Sequence, residues 1–536
     1  MKKILLLLLA LISIQISYSQ QGKGLSNTVD NTGYCYVTGV VNDAYSGSDI
    51  LVVKYDLYGD TLWTRTYSGT DHSPYVQGVA VKTGINGDVY VVGNIANTGN
   101  GLDVVLLKYS ADGNLVRYSP MPEINTMSDD KAFGIALDQN DNVYITGSRQ
   151  GSNSIQMFTA MYNSDCVYQW VGFDGVSGMN ASGVAIALDH SGNVCVTGYT
   201  STSNEGNDIM TVKYNSGGRE LWNKTVNGNA NSDDRPFGIA VDEQDNVIIA
   251  GYITNHPSNP NTDIAVIKYY PSGDVAWAQS YGDSVSNDKA LGIAVDETDA
   301  IYVTGYAANS LGGKNYSTLK LDPTYGGKLW NTIYPGGSND QANSIGLIKN
   351  NGTTVGVVVT GQSVGADNTN DYATVGYDVT SGDQQLESRY TATSSSDDVA
   401  EQLAVSNDGT IYVTGYSQVR INARTTSVFK TQSLKWNAGK NHTLSANLPH
   451  KFALYQNYPN PFNPSTKIIF DLAKETNVKI VVYDLLGRQI SIIADSYMKA
   501  GSHEISFNGS DLSSGIYFYE LRTDGFREVR KMSLIK

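Results

Sequence analysis

The strongest constraint on the fold is a phrase that the chain repeats. "GIAVDEQDNVIIAGY" at 238–252 recurs as "GIALDQNDNVYITGS" at 134–148, "GIAVDETDAIYVTGY" at 292–306 and "GVAIALDHSGNVCVTGY" at 183–199. The glycine ending each V-T-G-like run stands at Gly39, Gly93, Gly147, Gly198, Gly251, Gly305, Gly361 and Gly415, at intervals of 54, 54, 51, 53, 54, 56 and 54 residues. Within a unit the order is constant: an apolar strand, a tight polar bend, the V-T-G strand, a variable loop, a strand like "DIAVIKY", a turn like "PSGD" and a strand ending in Leu-Trp. Alternating apolar runs bounded by turn residues are strands. Four antiparallel strands per unit at this period predict propeller blades, whose radial repetition leaves few free edges. The expected fold is therefore all-β, an eight-bladed β-propeller over 22–436. Seven blades is the alternative, because the first unit ("LSNTVDNTGYCYVTG") is degenerate and the seventh ("NSIGLIKNNGTTVGVVVTG") irregular. A linear solenoid would have shorter units and capping repeats.

The tryptophans check this register independently. Trp63, Trp170, Trp222, Trp277, Trp330 and Trp436 are all placed by the pattern at the end of the fourth strand of a unit, with Val116 and Leu386 there in units two and seven. Large aromatics at one register in successive units read as packing anchors between blades rather than as sugar-stacking platforms.

Composition narrows function. With 37 basic against 52 acidic residues and a net charge of −15, the chain lacks the footprint of a nucleic-acid or anionic-membrane binder. Cys35, Cys166 and Cys195 exclude a disulfide framework and a CxxC metal site, while a single Cys166–Cys195 bridge stays open. Residues 1–19 read as a secretory signal peptide, with Lys2 and Lys3, an apolar run from Ile4 to Ile12, and small residues at Ser17 and Ser19. That run is too short for a transmembrane anchor, and no later stretch reaches eighteen apolar residues. An exported, soluble mature protein is expected.

In a four-stranded antiparallel blade the two short turns lie on one side, and the second-to-third loops and inter-blade connections on the other. The second side carries the length and variation, so binding is expected there. It also carries an acidic pattern. Asp49, Asp103, Asp208, Asp263 and Asp371, with Asn315 in unit six, open the third strands; Asp130, Asp234, Asp288, Asp340 and Asp398 precede the first strands. They form a candidate ligand or Ca²⁺ face, since Ca²⁺ prefers several oxygen ligands; the competing reading is that each caps its own loop by accepting backbone N–H groups. Catalytic signals are weak. His72, His190 and His256 are not paired at metal-ligand spacing, and no HExxH or GxSxG occurs. Arg65, Arg117, Arg149, Arg219, Arg235, Arg389, Arg420 and Arg424 occupy unrelated blade positions. No catalytic residue is assigned, though carboxylate pairs for polysaccharide cleavage are neither shown nor excluded.

After Trp436 the composition changes. A polar linker, 437–451, leads into 452–536, whose alternating segments "KIIFDL", "VKIVVYDLLG", "HEISFNG" and "GIYFYELR" predict a small immunoglobulin-like β-sandwich.

These residues carry two resemblances. "GIAVDEQDNVIIAGY", "DIAVIKYYPSGDVAW" and their copies resemble the SBBP β-propeller repeat of secreted bacterial proteins, a likeness that implies a fold and leaves the ligand open. "LYQNYPNPFNPSTKI", "VYDLLGRQI", "SGIYFYELR" and the terminal "KMSLIK" resemble the type A C-terminal sorting domain of type IX secretion cargo, with Pro459, Asn460, Pro461, Phe462, Pro464, Lys531 and Lys536 in the sorting motif. That resemblance implies the secretion machinery as partner and the outer cell surface or medium as destination. "DPTYGGKLW" at 322–330 is similar to the tryptophan-docking motif of quinoprotein dehydrogenases, a packing device, but the vicinal cysteine pair of those enzymes is absent. The expected function is a secreted, cell-surface-directed binding or adhesion scaffold for an unknown surface glycan or protein. A secreted hydrolase or lyase acting on polysaccharide is the alternative, and Ca²⁺ is the sole cofactor considered.

Overall fold

The computed structural model describes residues 22–535 apart from 43–46, 58, 70–74, 98–100, 123–128, 203–205, 256–260, 283–285, 309–312, 338, 366, 392–395, 422–423, 436–441, 444–451, 455–456, 458–459 and 500. The candidate signal peptide, His72, His256, Trp436, Pro459 and Lys536 lie outside the described residues. The chain divides into a unit ending at Leu444 and a unit beginning at Ser445, a boundary inside the expected linker.

Every described element is a strand or a turn. In the first unit, six successive antiparallel sheets of four strands cover 22–67, 76–120, 130–174, 181–226, 235–281 and 289–334; a seventh has four antiparallel strands over 341–390 and a fifth, His442–Thr443, and a three-stranded sheet covers 397–435. The arrangement is consistent with a β-propeller. The sequence period sets the burial. Third strands such as Thr262–Tyr269 and second strands such as Val247–Thr254 are apolar on both faces and almost wholly buried. Fourth strands such as Lys328–Tyr334 alternate and leave one face in water. First strands of neighbouring sheets touch in sequence, and the first strand of the first sheet, Gly22–Val29, packs against the eighth. There Asn27 N–H donates to Gln402 Oε1 at 2.8 Å, Asn27 Nδ2 to Tyr412 O at 3.0 Å, and Tyr412 Oη to Gly33 O at 3.1 Å.

All eight first strands bulge at one equivalent place, leaving Leu25, Val79, Phe133, Val184, Phe237, Leu291, Asn343 and Glu401 without a partner on the second strand. The bulge explains the anchor glycine. It brings the carbonyl of Arg235 so close to Gly251 that a Cβ there would sit 2.1 Å from the oxygen, and Ser182 does the same to Gly198 at 2.0 Å. Only glycine fits such an approach.

Two expectations about the tryptophans need correction. Trp63, Trp170, Trp222, Trp277 and Trp330 occupy the third position of their fourth strands, near the start rather than the end. In the second sheet the residue facing Lys108, as Trp63 faces Lys54, is Arg117 and not Val116. The five described tryptophans stand 12 or 13 residues after the strand-three partner of the anchor glycine, such as Leu51 for Gly39. In the eighth sheet that partner is Lys430, and the third strand runs on to Lys435; the anchor role expected of Trp436 falls outside the described residues. Among the described residues the eighth sheet has no fourth strand; His442–Thr443 instead pairs in parallel with the outer strand of the seventh.

The second unit has two sheets. Ala453–Leu454, Ser465–Leu472 and Gly501–Asn508 form one; Gln489–Met498, Thr476–Tyr483, Gly515–Arg522 and Arg527–Leu534 form the other. Leu454, Phe462, Ile468, Phe470, Val482, Tyr519, Met532 and Leu534 form their shared core.

Candidate functional site

The joints between sheets are built from three residue types. Trp277 Nε1 and Lys268 Nζ both donate to the carbonyl of Pro323, in the outer turn of the next sheet, at 3.1 and 3.0 Å. Trp330 and Lys320 share Val379 O in the same way, and Trp63 and Lys54 share Ala111 O. Trp222 and Trp170 reach Pro271 and Ser216. The ring face then covers the turn glycine: Gly273, at φ +88°, lies against Trp222 so closely that a Cβ would sit 2.7 Å from the indole. Every described tryptophan is therefore engaged by the adjoining sheet. The "DPTYGGKLW" segment joins two such contacts, since Gly326 lies under Trp277 while Trp330 reaches onward.

The aspartates of the expected binding face are placed in two rows, all ten buried. Asp49, Asp103, Asp208, Asp263 and Asp371 hold the same position in their third strands, opposite the end of strand two. In the second row, Asp234 accepts from Gly228 N on Oδ2 (2.5 Å) and from Thr254 N on Oδ1 (2.6 Å). Asp340 repeats this with Gly337 N (2.7 Å) and Val364 N (3.0 Å), and Asp288 accepts from Ala308 N at 2.8 Å. The amides of Asp234, Asp288 and Asp340 donate to Asn207, Thr262 and Lys314 of the preceding sheet, so each residue ties two sheets together. Asp130 pairs with Arg149 at 3.2 Å, and Asp398 accepts from Ser396 Oγ at 3.2 Å. Among the described residues no group of three or more His, Cys, Asp or Glu is arranged to hold a metal ion.

A further set of aspartates was missed in the sequence. Asp138, Asp242 and Asp296, in the first-to-second bends, each accept two backbone amides on one oxygen, as in Asp242 Oδ1 with Gln244 N and Asn246 N. Asp242 Oδ2 also pairs with buried Lys268 at 2.7 Å, as Asp189 does with Lys213. The fixed "D-x-x-D" spacing carried that signal. Three residues on in the same bends, Asp141, Asp245 and Asp299 adopt φ of 59°, 61° and 64° and accept the amides of Ile85, His190 and Glu243 in the preceding sheet. His190 Nδ1 lies 3.0 Å from Asp245 as part of this turn-to-turn link. Cys35, Cys166 and Cys195 are buried free thiols, and burial pushes Cys166 up to about 11 and Cys195 up to about 12.

Two cavities among the described residues bear on the site. The first, about 700 Å³, opens beside the seventh sheet and is lined by Tyr334, Asp371, Gln384, Glu387 and Arg389 among others. Its ionisable groups are mutually engaged: Arg389 donates to Tyr334 Oη, Ser363 and Asp371, and Tyr334 Oη donates to Glu387 at 2.6 Å. Burial, with Glu387 adding to it, pushes the Tyr334 phenol up to about 12. The second cavity, about 410 Å³, is a central channel to which the first strand of every sheet contributes, and the eight bulged residues face it. Six of them are apolar, while Asn343 and Glu401 stand together on the last two sheets. Burial raises the Glu401 carboxyl above its ordinary range, against the opposing effect of Lys23.

In the second unit, Asn460 Oδ1 accepts from Ser533 N at 2.8 Å, Phe462 N donates to Ser533 O at 2.9 Å, and Ile535 N donates to Phe462 O at 3.0 Å. The buried Phe462 ring meets Phe507 edge-on. The Asn-Pro segment is thus bonded to the last strand, which contains Lys531.

The chain is 24% identical to an uncharacterized WD repeat-containing protein of Acanthamoeba polyphaga mimivirus, in a match covering 50% of this chain and 27% of that protein. It thus spans about a quarter of that relative's length. Among solved structures, it is similar to the WD40 domain of SCAP from fission yeast (8% identity, 77% of this chain and 95% of that one, TM-score 0.40) and to a fungal alcohol oxidase in complex with copper (14%, 87% and 97%, 0.38). A polysaccharide ulvan lyase resembles it at 9% identity over 64% of this chain and 92% of that one, with a TM-score of 0.34. Residues 456–536, the segment that bonds the Asn-Pro motif to the last strand, match the secretion system C-terminal sorting domain, and the chain carries a domain of that type IX family at its C-terminal end.

Proposed function

We propose that this protein is a secreted, cell-surface-directed binding or adhesion scaffold. Residues 22–435 form a closed ring of eight blades built on SBBP-type repeats, and 452–536 form an immunoglobulin-like domain that serves as the export address. The signal peptide at 1–19 provides passage of the inner membrane, and the C-terminal domain provides passage of the outer one. The observation that carries this reading is the sorting domain joined to a repeat unit whose first and last sheets bond each other through Asn27, Gln402 and Tyr412. A rigid ring with its variable connections on one face displays loops for recognition while its tryptophans, aspartates and bend lysines hold the frame. The ten aspartates act as caps within that frame. Screening the purified chain against a glycan array and a polysaccharide hydrolysis panel tests the assignment: binding without turnover is expected, and cleavage of any polysaccharide overturns it in favour of a secreted hydrolase or lyase. An experimental structure with seven blades or an open superhelix overturns the ring.

A further inference from the structure

Cations collect at the end of the channel from which the first strands depart. Two residues ahead of the bulged position stand Lys23, Lys131, Arg235 and Lys289 in the first, third, fifth and sixth sheets. Three of these are held over a tyrosine that follows the anchor glycine of the preceding sheet. Lys23 Nζ lies 4.1 Å from the centroid of Tyr416, the Arg235 guanidinium 4.1 Å from Tyr199, and Lys289 Nζ 3.9 Å from Tyr252. Lys314, at the start of the sixth sheet's third strand, stands 4.2 Å over Tyr306. The sequence hid this grouping because the residues belong to different repeat units and different strands.

Between the fourth and sixth sheets the elements converge. Tyr252 carries Lys289 on its face, packs against Phe237 at 6.0 Å, and donates its hydroxyl to Asp233, which also pairs with Arg235 at 2.9 Å. Asp233 is the carboxylate of this group. Of its neighbours, Asp234 accepts a backbone amide on each oxygen, and Asp288 accepts Ala308 N and Ser286 Oγ on Oδ1. Among the described residues the ammonium groups of Lys289 and Lys314 have no ion-pair or hydrogen-bond partner; the tyrosine ring is the contact each makes. Burial lowers the pKa of Lys289, and the like charges of Lys314 and Arg235 push it the same way against the pull of Asp233. An ammonium perturbed in this way, without a hydrogen-bonding anion of its own, is the kind of group that clusters at functional sites. The cation–π contact fixes the ammonium while leaving N–H donors for a ligand.

We propose that Arg235, Lys289 and Lys314, with Phe237 beside them, bind an acidic saccharide at this mouth of the channel. The cations take its carboxylate or sulfate groups, and the exposed rings of Phe237 and Phe133 take the apolar face of a sugar. A saccharide with spaced charges fits better than a dense polyanion, because the rest of a chain of net charge −15 repels the latter. The inference rests on the binding-scaffold reading and gives it a site and a ligand class.

The test is calorimetric titration of the full chain with an oligogalacturonate, a sulfated oligosaccharide, a neutral xylo-oligosaccharide of matching length, and inorganic sulfate alone. The acidic saccharides should bind, more weakly as salt is raised, and the neutral one about tenfold less tightly or not at all. Carboxylated and sulfated arms identify which anionic group is preferred, and sulfate alone binding as tightly as the sugars overturns the saccharide part. Lys289→Gln and Arg235→Gln should each weaken binding by about tenfold. Lys289→Gln should leave the melting temperature unchanged or higher, an outcome that a merely structural lysine does not give. Equal affinity for neutral and acidic saccharides, or unchanged affinity in Lys289→Gln, overturns the site while leaving the scaffold reading standing. Should a variant fail to fold, the salt dependence and charge preference of the unsubstituted chain decide. If no acidic saccharide binds, the inference is wrong, and adhesion of the chain to cell surfaces then judges the scaffold separately.

Discussion

At the scale of single residues, the aspartates show how far a sequence pattern carries and where it stops. Their register was legible because every unit repeats the same connection; their burial was not, since a short acidic residue in a polar loop looks solvent-facing until its neighbours are in place. Burial changes the expected chemistry. An exposed cap tolerates Asp→Asn because the amide oxygen still accepts one bond. Asp234 instead receives one backbone amide on each oxygen, and an asparagine in that place turns its NH₂ toward one of the two N–H donors. Asp234→Asn should therefore destabilise by about 1–3 kcal/mol, close to Asp234→Ala, as expected when a buried donor loses its acceptor. Urea unfolding midpoints of the two variants check this, and an Asn variant as stable as the parent rules it out. Calcium at millimolar level should leave the melting temperature of the parent unchanged. A rise of many degrees that Asp234→Asn abolishes identifies a metal site instead.

At the scale of elements, strand order was readable because period-two apolar runs and turn residues alternate so regularly, and the bulge was not. An unpaired residue in strand one costs no change of residue type: Leu25, Val79 and Phe133 look like ordinary strand residues, and the signal lay in the glycine facing them. The four-stranded sheet of the second unit holds a comparable hidden feature. Glu520 is fully buried and bonded by Arg522 (2.6 Å), by Arg527 and by Tyr483 Oη (2.8 Å). Burial alone raises its pKa, but hydrogen bonds from Arg522, Tyr483 and Arg527 outweigh it and hold the carboxyl at about 2, below an ordinary value of 4.5. Since the folded pKa is depressed, the stability from this group is present in full above the unfolded value and is lost as pH falls from there toward 2. Protection from hydrogen exchange across 515–534, taken relative to the intrinsic rate at each pH, should thus fall in the parent between pH 4.5 and 2, and far less so in Glu520→Gln, which starts weaker at neutral pH. An identical pH response in both chains removes Glu520 as the cause.

At the scale of the whole molecule, the period of the repeat was legible and the contact between the first and eighth sheets was not. Seven units obey one spacing between anchor glycine and fourth strand. In the eighth, strands Thr410–Ile421 and Arg424–Lys435 are each 12 residues long. Contact between the first and eighth sheets falls to hydrogen bonds among Asn27, Gln402, Tyr412 and Gly33. Because the two units have separate cores and divide at Leu444/Ser445, removing one need not unfold the other. Deleting residues 452–536 should leave the repeat unit folded, with its tryptophan fluorescence intact, since all six tryptophans lie before residue 452. Export is where the deletion should act. A signal peptide crosses only the inner membrane, and the second address lies in the segment that matches the sorting domain, so the truncated protein should collect in the periplasm. Fractionation with protease shaving of intact cells reads this out directly: surface display of the truncated chain at the level of the parent overturns the assignment of the address, whereas periplasmic protein that has lost its native fluorescence shows instead that the repeat unit depends on its C-terminal neighbour to fold.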